Sequence, residues 1–133
     1  MAPGEHPSDP APRSRAELKR QYKETPPPAG IWAVRNLHGG KVLLGASANV
    51  PGMLNRLRFE LSSRMRRHPA LQDDWDRLGP EAFAFETLDL LPAPKEGPVD
   101  AAVQREELKV LEALWLERLR PWGEAGYHAA PPG

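Results

Sequence analysis

The sequence predicts a small α+β domain: a three-stranded sheet that includes a hairpin, flanked by helices in the order α-β-β-α-α-β-α. Three observations carry this. Two short apolar runs bracket a glycine-containing turn. Three later segments repeat apolar residues at helical spacing. One further run, rich in aromatics and bounded by turn residues, reads as a strand.

Taken in order, residues 1–13 read as a disordered tail. They are rich in Pro, Ala and Gly and show no periodicity. Ser14 can cap a short helix over 15–22, with Glu17 three residues later as in a capping box. Pro26-Pro27-Pro28 stops it, because proline cannot continue a helix. Gly30 to Leu37 and Lys41 to Ala46 form the hairpin strands around His38-Gly39-Gly40. Ser47 and Asn49 shape the turn that follows.

A helix over 51–63 then places Leu54, Leu57 and Leu61 on one face, with Pro51 in its first turn. A second, over 69–78, buries Leu71, Trp75 and Leu78 and ends at Gly79-Pro80. Residues 83–91 are the third strand. After a proline-rich loop, a helix over 100–119 starts at the candidate cap Asp100. Its stripe is Leu108, Leu111, Trp115 and Leu119, and Pro121 and Gly123 end it. The domain is expected over 14–129, with a tail at 130–133.

The chain has 133 residues, 40% of them hydrophobic, which supports one core and not two. It has no cysteine, which excludes a disulfide framework, a thiolate zinc site and a cysteine nucleophile. No apolar run approaches the ~18 residues of a membrane span. The first residues have neither a basic nor an apolar signal segment. A cytoplasmic monomer with no membrane partner is the expectation.

The net charge is zero but unevenly spread. Residues 1–80 hold 13 Lys/Arg against 8 Asp/Glu; residues 81–133 hold 5 against 10. The basic excess peaks at 56–68, where Arg56, Arg58, Arg64, Arg66 and Arg67 accompany one acid, Glu60. Such a cluster faces either phosphates or solvent. No Ser-His-Asp arrangement, helical zinc motif, P-loop or dinucleotide fingerprint is present.

Several phrases in this order resemble the GIY-YIG nuclease superfamily. The two hairpin motifs read Gly30-Ile31-Trp32 and Leu43-Leu44-Gly45. Leu54 to Phe59, Leu71 to Trp75, Gly79, Phe83 to Glu86, Leu111 to Leu116 and Gly126-Tyr127-His128 continue the series. The resemblance spans about 16–129. It implies metal-dependent hydrolysis of DNA phosphodiesters, with Mg²⁺ or Mn²⁺ as cofactor if the domain is active.

The resemblance also implies a set of roles. A tyrosine of the first motif acts as base, and a tyrosine of the second supports the attacking water. An arginine on the first helix, with a histidine one turn on, steadies the phosphate. A glutamate on the last helix holds the metal, and an asparagine near the end closes the site. Here those positions are Trp32, Leu43, Met53, Leu57, Glu112 and His128. Only Glu112 keeps the pattern. An indole donates a hydrogen bond but cannot serve as base.

Glu112 lies on the same side as Leu108, Trp115 and Leu116, where a carboxylate is a metal ligand, a peripheral group reaching water, or a partner of Lys109 three residues back. Substitutes for the lost groups are Arg56 for the phosphate and His128 as donor or base. Trp32 is the third candidate, for base stacking or simply core packing. Arg58, Arg64, Arg66 and Arg67 are candidate nucleic-acid contacts. Three readings follow: a nuclease with weak or lost activity, a non-catalytic nucleic-acid binder, or a protein-interaction module whose old cleft has become apolar.

Overall fold

The structure, a computed structural model, describes residues 26–94 and 97–131. The chain falls into two compact units. Pro27–Ala93 with Asp100–Gly133 hold every described helix and strand. The other unit is Met1–Pro26 with Pro94–Val99, and none of its described residues is helical or extended. The expected tail over 1–13 and helix over 15–22 lie outside the described residues.

The elements are β1 (Gly30–Asn36), β2 (Val42–Ser47), α1 (Val50–Ser62), α2 (Pro69–Leu78), β3 (Phe83–Leu90) and α3 (Ala101–Leu119). All three strands are antiparallel, in the order β2-β1-β3. The domain is therefore α+β with the sheet in the middle layer.

Period-two alternation decides what each face buries. On one face Trp32, Val34, Leu43 and Phe83 join Val50, Leu57 and Leu61 of α1 and Leu71 and Trp75 of α2. Trp75 sits 5.4 Å from the Phe83 ring and meets Phe85 edge-on. On the other face Ile31, Ala33 and Leu44 pack against Leu111, Trp115 and Leu116 of α3. Leu116 takes the place expected for Leu119, which is exposed. By the helical period 119 also falls on the side of 108, 111 and 115, but it is the last residue of α3.

Local chemistry fixes the ends. The Asn49 side chain accepts from Gly52 N–H and caps α1, with Pro51 in the first turn. Asp100 accepts from Ala102 and Val103 N–H and caps α3. β3 carries an extra residue, Leu88, between the partners of Ile31 and Trp32. Gly30 sits at this irregularity, where a Cβ would lie 2.0 Å from the Asp89 carbonyl oxygen. Only glycine lets the strands approach so closely.

Past α3 the chain turns back along the outer edge of β2. Gly126 bridges Val42 in parallel, and Tyr127 N–H donates to the Val42 carbonyl at 3.0 Å. The His128 side chain completes the cover by accepting from Leu44 N–H at 3.0 Å.

Candidate functional site

The hairpin register places Trp32 opposite Gly45 and Val34 opposite Leu43. The indole lies across Gly45, since a Cβ there would come within 2.5 Å of the Trp32 ring. Trp32 and Leu43 are both buried in the core that α1 and α2 cover. Leu57 is fully buried in the same cluster, and Met53 packs against it half-buried. These four positions form continuous apolar packing. One polar atom stands out within it: Trp32 Nε1 is buried with no hydrogen-bond partner. An unpaired buried donor costs about 1–3 kcal/mol.

Glu112 lies elsewhere. It lines a groove of about 360 Å³ between α3 and the end of β2, with Ala46, Ser47, Arg105, Leu108 and Lys109. Trp32, Arg56 and His128 do not line it. Among the described residues no three His, Asp or Glu side chains gather to hold a metal ion. One carboxylate beside two cations is a poor donor set for a divalent ion, which needs anionic or neutral oxygen ligands. The residues present do not fit a resident Mg²⁺ or Mn²⁺.

The other candidates are committed to neighbours. Arg56 Nε pairs with Glu60 at 2.9 Å, and Arg67 with the same carboxylate at 3.3 Å. Arg66 meets Asp73 at 3.0 Å and Arg64 meets Asp76 at 3.6 Å. The Arg58 guanidinium lies 4.3 Å from the centre of the Phe85 ring. His128 Nε2 spends its lone pair on Leu44 N–H, so its proton is on Nδ1. Burial, and then His68 nearby, hold the His128 pKa below the ordinary histidine value. A neutral ring with its acceptor nitrogen engaged is a structural group, not a free base.

Sequence reasoning missed one cluster. Tyr127 OH donates to Asp74 Oδ2 at 2.8 Å and accepts from Asn36 Nδ2 at 3.1 Å. Arg77 donates to Asp74 Oδ1 at 2.9 Å, and Asn36 Oδ1 accepts from His38 N–H. Burial first, and then Asp74, push the Tyr127 pKa up to about 12, against Asn36. Tyr127 therefore stays protonated at neutral pH. Asp74 has its pKa raised by burial and lowered more by Tyr127 and Arg77, so it remains ionised. Beside this cluster is a polar groove of about 530 Å³ lined by Asn36, Lys41, Asp74, Arg77 and Glu124. The signal was thin: an Asn ending an apolar strand, and the Tyr beside His128.

The hairpin, two helices, third strand and last helix behind the sheet make a GIY-YIG-like fold. The catalytic domain of the homing endonuclease I-TevI has a TM-score of 0.60 to this chain, at 20% identity, over 77% of this chain and 99% of that domain. A glutamate-to-alanine mutant of the catalytic domain of intron endonuclease I-TevI gives 0.52 at 18% identity, over 70% and 84%. At these identities the likeness is one of fold. No protein-family model and no curated protein matches the sequence. No described helix is long and apolar enough to cross a membrane.

Proposed function

We propose that the unit holding the described strands and helices is a nuclease-fold domain that binds nucleic acid and hydrolyses phosphodiesters feebly or not at all, as a cytoplasmic monomer. One observation carries the reading. Trp32, Leu43, Met53 and Leu57 stand where the resemblance places base, water support and phosphate clamp, and all four belong to one apolar core. Losing a general base costs typically 10²–10⁴-fold, and losing an electrostatic clamp about another 10²–10³-fold. Arg56 and His128 offer little compensation, since Glu60 and Leu44 N–H engage them.

Binding is supported by the arginines of 56–67. The Arg64–Asp76 and Arg66–Asp73 pairs are exposed, and such pairs contribute about 0–1 kcal/mol. A phosphate can take over these guanidinium groups at small cost. The acidic half of the chain limits the affinity.

Purified protein incubated with supercoiled plasmid and labelled single-stranded DNA, in Mg²⁺, Mn²⁺ and EDTA, tests the reading. The expected result is no metal-dependent cutting above background. Metal-dependent cuts that vanish in Glu112→Ala would overturn it. A second reading, docking of a protein, is favoured by Val103, Val110 and Leu114 on the outer side of α3, all more than half exposed.

A further inference from the structure

We propose that Phe59 is a stacking platform for unpaired bases, at the centre of a single-stranded nucleic-acid site on the outer face of α1, separate from the Glu112 groove. The inference rests on the nucleic-acid reading and names its ligand and its surface. Phe59 is 66% exposed, the most exposed large hydrophobic side chain among the described residues. Its helical neighbours are Asn55, Arg56, Ser62 and Ser63, all polar and all exposed. No apolar residue on its own helix partners it, while Leu57 and Leu61 turn into the core.

The charge around it selects the ligand. Of the five arginines between 56 and 67, four pair with three acids, Glu60, Asp73 and Asp76, which leaves a cationic excess. The loop after α1 presents Arg64, Arg66 and Arg67. Arg64 and Arg66 hold the left-handed conformation, with φ of 55° and 53°. Glycine or asparagine adopts it with less strain. Arginines one turn back on α1 and in the loop after it, together with an isolated, exposed aromatic ring, suit a chain of phosphates carrying bases with free π-faces. A duplex keeps its base faces stacked and offers nothing to a ring on a convex helix. A protein partner would need more apolar area, and here only Met65 adds any.

The test is fluorescence anisotropy of the full chain with a labelled oligothymidine of about 20 nucleotides, and with a duplex of the same length, at low and at roughly fourfold higher salt. Wild type is expected to prefer the single strand. Phe59→Ala should lose about ten- to a hundredfold in affinity with the salt slope unchanged. Phe59→Leu should lose nearly as much, and Phe59→Trp should bind like wild type. Arg64, Arg66 and Arg67 changed together to Ala should flatten the salt slope.

If Phe59→Ala binds like wild type while the arginine variant weakens, the stacking site is overturned and the nucleic-acid reading stands. Equal affinity for duplex also overturns the site. If wild type binds neither oligonucleotide at low salt, both fall and the α3 face becomes the surface to test. Phe59 is exposed, so none of its variants threatens the fold.

Discussion

Tyr127→Phe isolates the contribution of the Asn36–Tyr127–Asp74 cluster. The substitution keeps the ring packed against the core and beneath Lys41, and removes only the hydroxyl. Two hydrogen bonds go. One is the 2.8 Å bond to an ionised carboxylate, of a kind that contributes about 1.5–3 kcal/mol. The other leaves Asn36 Nδ2, on a side chain only 4% exposed, with Asp74 at 3.5 Å as its remaining partner. An unsatisfied buried donor adds about 1–3 kcal/mol.

The two effects overlap at Asp74, so the expected loss is about 2–4 kcal/mol, or roughly 7–18 °C in Tm for a domain of this size. Urea unfolding at neutral pH reads it as a shift in midpoint with the slope unchanged. The sign of its pH dependence follows from Asp74. Its pKa is lower folded than unfolded, so the unfolded chain binds more protons. The stabilisation is present above the ordinary aspartate value, about 3.9, and is lost as pH falls through the folded value. The difference between wild type and Tyr127→Phe should therefore shrink in acid. A loss below about 0.5 kcal/mol at neutral pH would mean that water replaces the hydroxyl, and the reasoning fails.

Two further outcomes are expected. His128 is depressed by burial and by His68, so wild-type stability should fall as pH drops below about 6.5 and through the folded value. His128→Gln should remove that dependence in melts across pH 5–8. Gly45→Ala should destabilise by about 1–3 kcal/mol, because its Cβ meets the Trp32 ring at 2.5 Å. A double-mutant cycle with Trp32→Leu, which clears that space, should show positive coupling of about 1 kcal/mol or more; additive effects would rule the clash out.

The hairpin, the three described helices and β3 were legible because each announces itself within ten or twenty residues. Gly39-Gly40 turns the chain, Asp100 caps, and Leu108, Leu111 and Trp115 recur at the helical period. What stayed hidden depends on contacts across the chain. Asn36, Asp74 and Tyr127 meet over separations of 38 to 91 residues, and no local pattern joins them. The arginine run read as positive charge facing phosphate or solvent, and the pairing of Arg64 and Arg66 with Asp76 and Asp73 required the α1–α2 corner to be folded. The substitutions at Trp32 and Leu43 were visible as letters. That both side chains lie in the core, and that Glu112 lies in a groove neither of them lines, was not.

The short run over β2 has a meaning beyond its few hydrogen bonds. A three-stranded sheet ends in two edges, each a template for another strand. On β3 the extra residue at Leu88 spoils the regular ladder. On β2, Gly126 to His128 occupy the Val42 carbonyl and the Leu44 N–H, with an imidazole standing in for one peptide carbonyl. Remove that cover and the sheet can continue from one molecule into the next. Self-association edge to edge, more than unfolding, is then the hazard that His128 and its two neighbours hold off.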